Sequence, residues 1–91
     1  MDDGNEPIRV PIEDVFDLHS FSPRDIESAA EEYLLEARHR FRSVRLIHGR
    51  GIGYQREKIR ALLQQLDFID RFADAPPEAG GWGATLVWFK K

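Results

Sequence analysis

The sequence predicts an α/β domain: two helices on a small mixed four-stranded sheet, in the order β-α-β-α-β-β. Short runs of strand formers alternate with two stretches whose apolar residues recur every three and four positions. Ninety-one residues with 42% hydrophobic content suit one core and leave no room for a second. At Leu46-Ile47-His48-Gly49-Arg50-Gly51-Ile52-Gly53 an apolar run feeds a helical pattern through three glycines, as a strand feeds a helix in such folds.

Residues 1–11 are polar, carry Pro7 and Pro11 and show no sustained period, which reads as an arm; the domain proper spans 12–91. Val15 to His19 is the first strand, with Phe16 and Leu18 on one face and Asp17 and His19 on the other. Ser22-Pro23-Arg24-Asp25 follows as a helix start, with Ser22 as cap, Pro23 in the first helical position, Asp25 in the third and Phe21 stapled onto Ile26. Ile26, Ala29, Ala30, Tyr33, Leu34, Ala37 and Phe41 then draw one apolar stripe along a helix of about 18 residues ending near Arg40. Ser43–His48 is the second strand, turning Val44, Leu46 and His48 to one side and Arg45 and Ile47 to the other. Ile59, Leu62, Leu63 and Leu66 mark the buried side of a helix from about Tyr54 to Leu66. Asp67–Ala73 is a weakly alternating third strand and Ala84–Phe89 the fourth, with Trp88 packed on a helix or covering a sheet face. Between them the proline and glycine run of residues 75–83 reads as a long loop.

This order carries a functional expectation. Parallel first and second strands, joined by a right-handed crossover, end at the same sheet edge, where open α/β sheets bind ligands. Asp17, His19, His48 and Arg50 then converge on a glycine turn whose free amides and helix dipole suit an anion. A carboxylate, two imidazoles and a guanidinium are sensible parts for phosphodiester chemistry: proton acceptor, proton donor and charge stabiliser. Each part also has an ordinary structural use, as turn cap, satisfied core histidine or plain αβ connection. Trp82, among glycines, either stacks on an unpaired base or folds back over the core.

The net charge of −3 conceals segregation: residues 1–36 hold eleven acids against Arg9 and Arg24, whereas 38–60 hold eight basic residues, Arg56 among them, against Glu57 alone. That basic middle is either a phosphate-facing footprint or a solvated face paired with the acids. Zero cysteines exclude a disulfide framework, a thiolate nucleophile and Cys-ligated zinc. The acidic N-terminus resembles no signal peptide and no apolar run approaches membrane-spanning length, so the expected setting is cytoplasmic, away from membranes.

Three segments resemble, in order, those of the small MutS-related (Smr) domain family. Phe16-Asp17-Leu18-His19 is similar to its Leu-Asp-Leu-His-Gly signature, His48-Gly49-Arg50-Gly51 to its Thr/His-Gly-x-Gly signature, and Gly80-Gly81-Trp82-Gly83-Ala84-Thr85 to its glycine-rich C-terminal segment. Ser20 departs from the glycine usual after the histidine, and Phe16 from leucine. The resemblance implies a fold similar to the C-terminal domain of translation initiation factor three and an activity that nicks or cleaves DNA or RNA. The candidate catalytic residues are Asp17, His19 and His48; the candidate nucleic-acid contacts are Gly49, Arg50, Gly51, Gly53, Arg56 and Trp82. Either the two histidines transfer protons, or Asp17 with a histidine holds a divalent metal such as Mg or Mn. The expected partners are DNA or RNA and a larger MutS-like or ribosome-associated assembly, with the domain itself monomeric. A noncatalytic nucleic-acid-binding module is the alternative, and a small enzyme for a free phosphorylated metabolite is a third reading.

Overall fold

A computed structural model describes residues 11–51 and 53–91; the arm expected at the N-terminus lies, apart from Pro11, outside the described residues. The elements are β1 (Val15–Asp17), α1 (Ile26–Ala37), β2 (Ser43–Ile47), α2 (Tyr54–Gln65), β3 (Ile69–Asp74) and β4 (Ala84–Phe89), in the expected order. They form one four-stranded mixed sheet, β1-β2-β4-β3. β1 and β2 run parallel, with Asp17 beside Ile47, and β4 pairs antiparallel with both β2 and β3.

Strand alternation decides which face is buried. Val44 and Leu46 of β2 and Val87 and Phe89 of β4 point to one side, where α1 supplies Ile26, Ala30, Leu34 and Ala37 and α2 supplies Ile59, Leu62 and Leu63. The two helices also pack against each other, so they share that face. Each fully buried Leu or Ile contributes about 1.5–3 kcal/mol of transfer free energy, and this cluster is what orients the β1 and β2 ends. On the other face Trp88 is capped by the Arg71 guanidinium, 3.9 Å above its ring. Tyr33 ties β1 to α1: its ring stacks on Phe16 at 4.5 Å and its hydroxyl donates to the Glu13 carbonyl, burial pushing the phenol up to about 12.

Several boundaries differ from the sequence expectation: β2 ends at Ile47 and α2 at Gln65, one residue early, β3 spans Ile69–Asp74 rather than Asp67–Ala73, and the departures that follow have a local reason. α1 begins at Ile26, because Asp25 N–H donates to the Ser22 carbonyl and the Asp25 carboxylate accepts from the Ser22 hydroxyl at 2.8 Å; Ser22–Asp25 is a separate turn and Asp25 is the cap position. Phe21 turns its ring toward Phe16, with centroids 5.8 Å apart. At the other end α1 stops at Ala37, where His39 and Arg40 switch to tighter i→i+3 bonds that bring Phe41 onto the core. β1 ends at Asp17 because His19 N–H turns to the Asp17 carboxylate at 3.0 Å instead of continuing the ladder. The loop before β4 is not irregular throughout: Pro77–Ala79 and Gly81–Gly83 are single 3-10 turns.

Candidate functional site

Because β1 and β2 are parallel neighbours, their C-terminal ends open onto one cavity of about 420 Å³, lined by His19, His48, Gly49, Arg50, Gly51, Gly53, Tyr54 and Gln55. The two histidines reach it in different ways. His19 is exposed, just beyond the β1 end, and its Nδ1–H donates to the Asp17 carboxylate, which also accepts the His19 backbone N–H. Those two hydrogen bonds hold the Asp17 carboxyl below the usual carboxylate range. With Nδ1 committed to Asp17, Nε2 is the nitrogen that His19 offers outward.

His48 extends the buried face of β2 and is 3% exposed. Its Nδ1–H donates to the Gly49 carbonyl at 3.0 Å, and Nε2 accepts from the Thr85 hydroxyl at 2.9 Å. Both ring nitrogens are therefore engaged within the protein, and burial lowers the pKa from its ordinary 6.5, helped by Arg56 and Arg60 and opposed by the Gly49 bond and Asp74. Between the lowered value and 6.5 the unfolded chain binds more protons than the folded one, so stability falls as pH drops through that interval and levels off below it. Thermal melts from pH 7.5 to 5 are expected to show this decline, and His48→Gln to flatten it at a lower overall melting temperature.

The glycine turn is fixed from behind and left open in front. The N–H groups of His48 and Gly49 both donate to the Gly83 carbonyl at 3.0 Å, which pins the turn to the segment before β4. Gly53 occupies the N-cap of α2 with φ +87°, a left-handed conformation that a side chain rarely adopts. With no side chain there to cap the helix, the first-turn amides of α2 keep their donor capacity on the cavity side. Arg50 lies along the Gly81–Gly83 turn, since a Cβ at Gly81 would meet its guanidinium at 3.2 Å and one at Gly83 its Cγ at 3.1 Å. The Arg50 side chain is exposed and forms no ion pair with a described residue.

Two of the expected nucleic-acid contacts are placed elsewhere. Arg56 is a clamp rather than an open donor: its Nε and Nη2 grip Asp74 at 3.1 and 2.9 Å, Nη1 takes Glu57 at 2.8 Å, and the side chain is 14% exposed. Its guanidinium also sits 5.0 Å from the Trp82 ring centroid. Trp82 in turn lies over Gly53 and is 42% exposed, so it packs the helix start and keeps one part in solvent. Much of the basic middle is paired in the same manner, with Arg60 on Asp74, Lys58 near Glu27 and Arg40 on Glu36. Sequence reasoning passed over Tyr54 and Gln55, which line the cavity from the first turn of α2; their place directly after Gly53 was the available signal.

Asp17 and His19 engage each other, and among the described residues no group of three or more His, Asp, Glu or Cys side chains converges to hold a metal ion. A resident divalent ion held by protein ligands alone does not fit this donor set. Among the described residues no helix is long and apolar enough to cross a membrane.

Fold and cavity together define a small α/β domain with a glycine-lined pocket at the edge of its parallel strand pair. The chain belongs to the Smr domain family, which matches residues 16–90. It is 47% identical over 45 residues to Endonuclease MutS2 of Thermus thermophilus, covering 50% of this chain and 6% of that protein. To Endonuclease MutS2 of Carboxydothermus hydrogenoformans it is 33% identical over 75 residues, covering 81% of this chain and 10% of that one. The chain thus spans a tenth or less of these relatives. The crystal structure of the Smr domain of Thermus thermophilus MutS2 superposes with a TM-score of 0.80 at 35% identity, over 85% of this chain and 98% of that domain. YdaL, a stand-alone small MutS-related protein from Escherichia coli, shares the fold at a TM-score of 0.81 and 23% identity, over 89% of this chain and 67% of that one.

Proposed function

We propose that this Smr domain is a nucleic-acid endonuclease that seats a phosphodiester in the glycine-lined cavity and cleaves it by proton transfer through His19. The observation that carries the reading is the opening of an Asp17-oriented imidazole onto the same cavity as Arg50 and the uncapped α2 amides. In this scheme Nε2 of His19 takes a proton from the attacking water or hydroxyl, or returns one to the leaving oxygen, while Asp17 fixes the tautomer. Arg50 and the amides hold the non-bridging oxygens as charge builds on them. His48 serves as a positioning residue that locks the turn, and no step runs through a metal. The similarity to two MutS2 endonucleases supports the nuclease class. The proposal extends to a cytoplasmic setting, with DNA or RNA as partner and a larger MutS-like or ribosome-associated assembly around the domain. The engagement of both His48 nitrogens favours a second reading, a binding module without cleavage.

Incubation with supercoiled plasmid and with end-labelled single-stranded RNA, with EDTA and with added magnesium, separates the two. Products are expected on at least one substrate; salt-sensitive binding without product supports the module, and neither binding nor product overturns both. Arg50→Ala is expected to weaken binding and to lower the slope of log affinity against log salt by about one phosphate contact. Arg56→Ala is expected to leave that slope unchanged and to lower the melting temperature, because it strips Asp74 of its bidentate partner.

A further inference from the structure

Tyr54 carries the most exposed large hydrophobic side chain among the described residues, 58% exposed, and it lines the cavity from the first position of α2. The ring lies outside the core cluster and stands in solvent beside the cavity. The ring is nevertheless fixed from one side: the Lys58 amine lies 5.4 Å from its centroid and is itself anchored by the Pro23 carbonyl at 2.6 Å. Gln55 lines the same cavity, and its carboxamide oxygen is buried with no hydrogen-bond partner among the described residues. A buried acceptor without a donor costs free energy in the unliganded protein, and a donor on a bound molecule removes that cost.

We infer that Tyr54 and Gln55 form a nucleoside subsite beside the phosphate cavity, which makes an unpaired nucleotide of a single strand the preferred ligand. This rests on the phosphodiester reading above and deepens it. A phosphate on the α2 amides places its attached nucleoside within reach of residues that follow Gly53 directly. Tyr54 then offers a face for the base to stack on, and Gln55, its side chain turning to bring the buried oxygen to the cavity it lines, accepts a hydrogen bond from a base N–H or a sugar hydroxyl. A base inside a duplex is stacked on both sides and cannot use the Tyr54 ring, so the subsite discriminates by strandedness.

The test is fluorescence anisotropy of the full chain with labelled 12-nucleotide single strands and with the matching duplex, at several salt concentrations. Tyr54→Ala is expected to weaken single-strand binding by about 5- to 100-fold and to change duplex binding by less than about threefold, whereas Tyr54→Phe stays within about twofold of the parent. Gln55→Leu is expected to weaken single-strand binding while its melting temperature holds or rises, since the leucine removes an unpaired buried oxygen; that pairing of effects separates loss of a ligand contact from loss of fold. Equal losses on single strand and duplex in Tyr54→Ala, or parent-like binding in both Tyr54→Ala and Gln55→Leu, overturn the subsite while leaving the phosphodiester reading standing. A parent protein that binds neither nucleic acid in a salt-dependent way overturns both.

Discussion

Replacing His19 by alanine is expected to reduce cleavage by on the order of 10²- to 10⁴-fold, the usual contribution of a positioned acid–base group. The fold should hardly notice: 62% of the His19 side chain is exposed, and its side-chain bond is to Asp17 on the same strand end. Circular dichroism melts of the variant are therefore expected to overlay those of the parent. Asp17→Asn keeps an acceptor for Nδ1–H but removes the negative charge, so it should fall between the parent and His19→Ala. Asp17 is held below the usual carboxylate range by its two bonds from His19, so it stays ionised at neutral pH, and a loss of activity between pH 7 and 5 does not originate there. Added imidazole should restore part of the activity of His19→Ala, because the cavity beside the missing ring is open. Parent-like cleavage by His19→Ala removes this histidine from the chemistry and moves the proton transfer to another group.

The parts of this site that follow from strand periodicity were readable in advance; the parts that depend on who partners whom were not. Alternation along residues 15–19 and 43–48 places Leu18, Leu46 and His48 toward the core, and the parallel pairing of β1 and β2 follows from the helix that separates them. The same alternation, taken at face value, already buries His48, because it lies in register with Val44 and Leu46. Nothing in the local sequence says that Thr85, 37 positions away, supplies the hydroxyl that engages its second nitrogen. The pairing of Arg56 was hidden for a similar reason. A basic run advertises charge, but the acid that neutralises Arg56 and Arg60 is Asp74 at the end of β3, brought there only by tertiary packing. Arg50 escapes because it sits in the turn itself, ahead of the helix face that meets β3.

Gly53→Ala is expected to be the most damaging of the glycine-turn substitutions, and the reason combines backbone and packing. At φ +87° an added Cβ is strained by about 1–2 kcal/mol wherever it points. Here it points at the indole, with Cη2 of Trp82 only 2.7 Å away and Cζ2 at 3.3 Å. Trp82 cannot retreat freely, because the Arg56 guanidinium over its ring is fixed by Asp74 and Glu57. Relief therefore requires moving the indole off the helix start or shifting the α2 N-terminus, and overpacking of this kind adds about 1–3 kcal/mol. Gly51→Ala is the control: φ is +44° and nothing lies within 4 Å of its Cβ, so only the backbone strain applies. For a domain of this size the difference between the two variants corresponds to about 4–24 °C in melting temperature. Trp82→Ala should relieve the clash, so the double variant Gly53→Ala/Trp82→Ala is expected to melt higher than the sum of the single effects predicts. Equal melting temperatures for Gly53→Ala and Gly51→Ala would show that the indole is not seated on the turn. Anion affinity should follow the same order, since the uncapped start of α2 borders the cavity and Gly53 sets its position through its left-handed conformation.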